Sequence, residues 1–480
     1  MTNKDLNIIN VTPDMSIQKV VKRAKVGSII MLSAGKYTGK GNSNIQINKK
    51  NLTIKGTEEG KTVISASRTK NNVFNVNSDN TTLENLIITG SNSFKGAVSI
   101  KGKNNIIKKC TFIDNAIKGR KEYGGAIFSK GGDLTIKQSI FTNNKAEIAG
   151  GAIANSNCDL TIIESTFTGN IAQVSGGAIA NGNGSSTVID SVFADNTAKI
   201  GGAIANSNHG LIVKRSTFNN NTVAQCGGAI FNANGNLNVI DSTLTDNKSK
   251  NIAGAICNSD GELAVKRSKF IDNVAQVSGG AIINGQGGDL SVLSSTFNNN
   301  RAKKNGGAIL NSMDGDLYVL DSIFNGNTVQ EDGGAILNCT NAVSSVIHST
   351  FTDNEVDRHG GAIVNAGELT ITESTFNNNT SDEDGGAIMN SNNLTVMQST
   401  FTVNTGELGG AIDNSGESLT VHGSTFTDNI AVYGEAIANN AGNLIVSESK
   451  FINSNIFHDD DIIARNYKSN GIVIKDSTFS

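Results

Sequence analysis

Proline, tryptophan and cysteine are nearly missing from this chain. Its 480 residues include one proline, no tryptophan and five cysteines. A chain this poor in proline can commit nearly every backbone N–H to a hydrogen-bonded ladder, because proline has none to donate. The same shortage excludes a proline-rich linker and a mucin-like stalk. Cys110, Cys158, Cys226, Cys257 and Cys339 show no C-x-x-C spacing, so no zinc or redox motif is read. No apolar run approaches the 18 or so residues of a membrane-spanning helix. The opening "MTNKDLNIINVTPDMSIQKV" has no apolar run after a basic start, so it does not read as a secretory leader. Forty basic residues against 43 acidic ones leave a net charge of −3. With no dominant basic stretch, a nucleic-acid partner is not expected. No cofactor and no metal is expected either.

What the chain has in quantity is glycine, 53 residues, and phenylalanine, 19 against five tyrosines. Both belong to a repeat. The phrase GGAI begins at Gly124 and recurs up to Gly409, with degraded copies "AGAI" at Ala253 and "GEAI" at Gly434, at intervals of 24–27 residues. An F-x-x-N phrase accompanies each, from Phe112–Asn115 to Phe426–Asn429, with Leu244 once replacing the Phe. Two residues before the Phe stands a serine, from Ser139 to Ser477, with Cys110 in the earliest copy. Five residues after the first glycine stands an asparagine, from Asn155 to Asn439, with Ser129 in the first copy.

Within a copy the apolar residues alternate, as in Leu134 and Ile136, then Phe141 two beyond Ser139. That is strand periodicity. Each copy is expected to hold about three short strands separated by turns. Three short strands cannot bury an apolar face alone, but stacked copies can. The expected fold is all-β: a right-handed single-stranded parallel β-helix, one lap per repeat, with like residues stacked about 4.8 Å apart. The asparagines are expected to form amide ladders at corners and to tolerate left-handed backbone there. Cysteines at differing places in the repeat are not expected to pair when laps stack, and read as occasional small apolar side chains. Ile17, Val20, Val21 and Ala24 follow helical spacing. Asp14 or Ser16 can start that helix and Gly27 can stop it, so a short helix is expected to cap the first lap. The last lap shows no such cap. The expected organisation is an extension and capping helix over 1–27, irregular coils over 28–111, regular laps of about 26 residues over 112–454, and a divergent last coil over 455–480.

The paired GGAI and F-x-x-N phrases, from Phe112 to Phe451, resemble the repeats of chlamydial polymorphic outer membrane proteins and of related adhesin-like proteins of archaea and bacteria. The stretch Ser16–Gly39 is similar to the first laps of pectate-lyase-like right-handed β-helices. The resemblance implies an extracellular or cell-surface, non-enzymatic protein presenting a β-helical surface to a glycan or a cell-surface protein. Those outer membrane proteins carry a leader and a C-terminal membrane barrel, and neither is read in this sequence. The alternative on the same frame is a polysaccharide lyase or glycoside hydrolase acting on an acidic polysaccharide.

A residue type repeated in a dozen laps cannot be one active site, so the Phe, Ser and Asn columns are read as scaffold. Chemistry belongs where laps differ. Asp332, His359 and Asp384 each stand one before a GG pair, with Glu331, Arg358, Glu383 and Glu407 two before. The candidate binding patch is Asp332, Arg358, His359, Glu383 and Asp384, with no catalytic residue assigned. Carboxylates beside His and Arg suit acid–base work on a glycan or calcium ligation. The same pattern also fits a solvated turn in which the cations relieve carboxylate repulsion. "FHDDDIIAR", Phe457–Arg465, reads as an acidic loop able to meet a cation. The residue after GGAI runs Phe231, Cys257, Ile283, Leu310, Leu337, Val364, Met389. It is either an exposed partner face or core, and core is expected.

Overall fold

The computed structural model describes residues 7–67, 69, 71–117, 123–285, 287–458 and 472–480. Two compact units emerge: Met1–Ala224 with Gly228–Asn236, and Gln225–Gly227 with Leu237–Ser480. Both are built the same way, as right-handed parallel β-solenoids of the expected class.

One lap of the first unit shows the design. Strands Leu134–Lys137, Ile140–Thr142 and Ile153–Ser156 form three walls. They pair in parallel with the next lap in strict register: Leu134 with Leu160, Phe141 with Phe167, Ile153 with Ile179. Alternation turns Leu134, Ile136, Phe141 and Ile153 inward, where all are buried. A fourth strand of two residues, Lys145–Ala146, pairs with Ile171–Ala172. The sequence reading had three strands per lap, because two residues carry no period.

Exact stacking makes columns. In the first unit the rings of Phe112, Phe141, Phe167, Phe193 and Phe218 follow one another at 4.7–4.8 Å between centroids and within 4° of parallel. In the second unit the rings from Phe270 to Phe479 follow one another at 4.7–4.9 Å and within 8° of parallel. This is the spacing of hydrogen-bonded strands, so the rings ride on the ladder.

Polar columns seal the corners. The Asn144 main-chain N–H and its Nδ2 both donate to Asn170 Oδ1, each at 3.0 Å, and Nδ2 also donates to the Phe112 carbonyl at 3.0 Å. The second asparagine column repeats the device: Asn155 Nδ2 donates to Asn181 Oδ1 at 2.8 Å. In the serine column, the Ser139 N–H donates to Ser165 Oγ at 3.1 Å, while its own hydroxyl donates to the Lys137 carbonyl. These side chains replace the backbone partners that bends remove.

The left-handed corners differ from expectation. The ladder asparagines are not left-handed; the residue before each serine and before each asparagine of the first column is. Gln138, before Ser139, has φ +50° and Asn143, before Asn144, has φ +54°. The bend thus precedes the residue whose side chain caps it. At the Asn143 position most laps use Asn, Asp or Gly, but the lap of Phe401 uses Val403 at φ +54°. A β-branched residue is strained there. Val403→Asn is expected to raise stability by about 1 kcal/mol in a urea melt. The stacked neighbours favour it, since Asn378 Nδ2 already donates to Asp353 Oδ1 and Asn453 Nδ2 to Asp428 Oδ1.

The GG pair has two separate reasons. The first glycine is left-handed, as Gly333 is at φ +71°. The second lies so close to the next lap that a Cβ on Gly334 would sit 1.9 Å from the Gly361 carbonyl oxygen.

At the start of the first unit, Ile8–Val11 forms a strand paired with Ile29–Leu32. The helix spans Ile17–Arg23 and is capped by Ser16, whose Oγ accepts from the Lys19 N–H. It buries Ile17 and Val21, and the Ile17 N–H donates to Asn42 Oδ1.

Candidate functional site

Two side-chain columns are free of ladder duty, and they face each other. One is the residue before GG. In the first unit Ala149 bridges to Ser175 and Ser175 to Ile200; in the second, Asn305 bridges to Asp332, Asp332 to His359, and Asp384 to Leu408. The other is the residue after GGAI, whose side chain folds back over the first glycine. A Cβ on Gly279 would lie 2.3 Å from Ile283 Cγ1, and one on Gly360 would lie 2.7 Å from Val364 Cγ2. Between the two columns runs a groove, its floor set by glycine.

The column after GGAI is therefore neither open face nor coil interior. Cys257, Ile283 and Val364 are buried, whereas Phe231, Leu310, Leu337 and Met389 are half-buried. The expectation of core is corrected: alternation sends this residue out of the coil, and the missing glycine side chain gives it a seat.

In the second unit the charged residues converge on this groove. His359 Nδ1 lies 3.3 Å from Asp384 Oδ2, and His359 Nε2 lies 3.4 Å from Glu383 Oε2. Arg358 Nε stands 3.6 Å from the same Glu383 oxygen, and Arg358 Nη2 is 3.2 Å from His359 Nε2. Glu331 turns to Lys304 Nζ at 3.9 Å. Asp332 pairs with His359 along the backbone. Burial pushes the Asp332 carboxyl above its ordinary range, against the pull of His359 and Arg358. Burial raises Asp384 likewise, against His359. His359 Nδ1 is shut away from solvent and approaches Asp384 Oδ2 at 3.3 Å without hydrogen-bond alignment.

Asp413 escaped the sequence reading. It interrupts the apolar column, in register between Met389 and Ala438. It is fully buried. Its Oδ1 accepts from Asn440 Nδ2 at 2.5 Å and its Oδ2 from Ser415 Oγ at 3.0 Å. Burial, and then the charge of Asp384, push its carboxyl up to about 7. One aspartate in an otherwise apolar column was the signal available. Asp413 thus adds a third carboxyl raised by burial, next to Asp384 in the groove wall.

The first unit's groove is of another kind. Ala154, Ala180 and Ala205 leave the column small, and the trough that results has a volume of about 410 Å³. Phe128, stacked on Tyr123 with centroids 6.3 Å apart, stands at one end and Phe231 at the other.

Two cysteines do meet, contrary to expectation. Cys226 precedes a GG pair and Cys257 follows the AGAI of the next lap, so they lie on opposite sides of the groove with their thiols hydrogen-bonded. The other histidines serve the surface. His348 Nε2 contacts Glu373 Oε2 at 2.5 Å and its Nδ1 stands 3.7 Å from Asp321 Oδ1; His422 Nδ1 pairs with Ser447 Oγ. His209 gives its carbonyl to Asn206 Nδ2. The aspartates of "FHDDDIIAR" lie outside the described residues. Among the described residues, no three His, Cys, Asp or Glu side chains form a set able to hold a metal ion, and no helix is long and apolar enough to cross a membrane.

The motif's six best copies match a known family at residues 138–156, 164–182, 215–233, 294–312, 321–339 and 373–391. The chain carries Chlamydia polymorphic membrane protein repeats. Every match opens on a left-handed corner, as at Gln138, Glu164 and Asp321, and runs through the Ser, Phe, Asn and GG columns to the second asparagine. No protein of curated function matches the chain. Among solved structures, a PL6 alginate lyase in complex with a trisaccharide is similar at 13% identity and TM-score 0.41, covering 74% of this chain and 86% of that one. A rhamnogalacturonan lyase is similar at 11% identity and TM-score 0.35, covering 61% and 82%. The A-module of the Azotobacter vinelandii mannuronan C-5 epimerase AlgE6 is similar at 12% identity and TM-score 0.30, covering 90% and 92%. Likenesses at these scores carry no argument about chemistry.

Proposed function

We propose that this chain is a non-enzymatic, adhesin-like surface protein that binds a glycan or a cell-surface protein along the groove beside its GG pairs. One observation carries this reading: in lap after lap the Phe, Ser and both Asn columns are used up in stacking and ladders, while the side chains that line the groove change. A surface that varies lap by lap on a constant frame suits recognition. The surface setting suggested by the polymorphic membrane protein repeats agrees with it.

A second reading has its own support. Asp413, with its carboxyl near 7, sits beside Asp384, which contacts His359. Carboxylates whose environments hold them above the ordinary range are what a lyase or hydrolase of acidic polysaccharide would use. The two readings part in one experiment. The chain is offered pectin, alginate and other uronic-acid polymers with and without calcium, and both retention and turnover are followed. Retention of a glycan or of cells without turnover, in wild type and in Asp384→Ala alike, is expected. Turnover in the parent that disappears in Asp384→Ala would replace the adhesin reading with the enzyme.

A further inference from the structure

We propose that Cys226 and Cys257 are a redox-modifiable pair, closing into a disulfide that staples two consecutive laps of the second unit across the groove. Neither residue belongs to a ladder. Cys226 is bridged along the backbone to Ile252, which immediately precedes the left-handed Ala253 of the next lap. Cys257 follows that lap's AGAI phrase and pairs with Ile283 on its far side. The column before GG and the column after GGAI face each other across the groove, so Cys257 stands opposite Cys226, and the two thiols share a hydrogen bond. Both cysteines are free in this structure, so it is the reduced state.

The two sulfurs are not equivalent, and the difference assigns their roles. Cys226 is half-buried and reachable from the groove mouth, whereas Cys257 is buried. The hydrogen bond from Cys257 holds the Cys226 thiol below its ordinary value, while giving that bond and being buried push Cys257 up. Being the more exposed of the two, Cys226 is the attacking thiol and Cys257 the resolving one. The oxidant is a small disulfide. Cys226 Sγ attacks one of its sulfurs, breaks the S–S bond and expels the first small thiolate, leaving a mixed disulfide. Cys257 Sγ then attacks Cys226 Sγ and expels the second. Two electrons pass from the two cysteines to the small disulfide, and the two cysteine protons go to the departing thiolates. By contrast Cys110 is buried without a second cysteine beside it, and burial pushes its thiol up to about 12, so it should stay inert.

The test uses the full chain and oxidised glutathione. After incubation under native conditions, free thiols are alkylated and the digest is mapped by mass spectrometry. One cross-linked peptide pair, Cys226 to Cys257, is expected, with the other three of the five cysteines alkylated. Dithiothreitol should restore all five. Amide exchange in strand Ile256–Asp260 should slow roughly a hundredfold in the oxidised form, as a loop-closing crosslink implies. In Cys226→Ser, Cys257 should take up no glutathione. The proposal is overturned if glutathione stays on Cys226 with no crosslink. It is also overturned if Cys339, the other half-buried thiol, reacts while the pair does not.

Discussion

Asn327→Leu is expected to lower the stability of the second unit by about 2 kcal/mol, although leucine matches asparagine in shape and the site is fully buried. Asn327 is the hinge of four hydrogen bonds. Its Oδ1 accepts from the Asn300 N–H and from Asn300 Nδ2, each at 3.0 Å; its Nδ2 donates to the Phe297 carbonyl and to Asn354 Oδ1, each at 2.9 Å. Asn354 Oδ1 keeps the Asn327 main-chain N–H, and Asn300 Nδ2 keeps the Phe270 carbonyl. The Asn300 N–H keeps nothing, and an unsatisfied buried group costs about 1–3 kcal/mol, whereas the Phe297 carbonyl still lies in the parallel ladder with the next lap. Apolar burial of the new side chain offsets only part of this. Asn325→Leu is the control. It is the same residue type two positions away, half-buried on the outer face, and should change stability by less than about 0.5 kcal/mol. Urea melts read the total, and amide exchange at Asn300 should show where the damage lies. Equal losses from the two variants would mean that the ladder carries no special weight.

Asp413→Asn should stabilise the second unit at pH 8 and make no difference at pH 4. The folded carboxyl holds its proton up to about pH 7, while the unfolded one ionises near its ordinary 3.8. Between those values the native state binds more protons than the unfolded chain, so wild-type stability falls as pH rises and levels off above about 7. At about 1.4 kcal/mol per pH unit, the full loss is about 4 kcal/mol. Asparagine cannot ionise, and it can keep both bonds by accepting from Asn440 and donating to the Ser415 hydroxyl. Burial raises Asp332 and Asp384 too, and their similar contribution largely cancels when the two proteins are compared at each pH. The gap between their urea midpoints should therefore open between pH 4 and 7. A gap that is constant over this range would show an ordinary carboxyl.

Much of the fold was legible because stacking demands the same residue at the same place in every lap. Phe141, Ser139, Asn144 and Asn155 each stand in a column with at most a rare exception, such as Leu244, and period alone reveals them. The strand Lys145–Ala146 has no such demand, since two residues pair through backbone and any side chain will do. The left-handed corners are hidden for a related reason. Gln138, Glu164, Arg215 and His348 share one corner without sharing a chemistry. The ladder residue that follows forces the bend, and its energy outweighs a local cost of about 1–2 kcal/mol. At the candidate site, the common register of Asp332, His359 and Asp384 was visible in the spacing. Asp413 and the Cys226–Cys257 contact were not, because each joins two different columns across the groove. Comparing like with like down a column cannot show which columns face.

The uniform seam between laps has a genetic consequence. Within each unit the regular laps offer their neighbours a ring, or once the side chain of Leu244, with the same two amides and the same hydroxyl. An in-frame gain or loss of one whole period therefore rejoins matching surfaces. Unequal crossing-over among such similar copies would yield offspring of different length that still fold, each with its groove side chains dealt in a new order. The frame is thus indifferent to copy number, while the recognition surface is reshuffled by it.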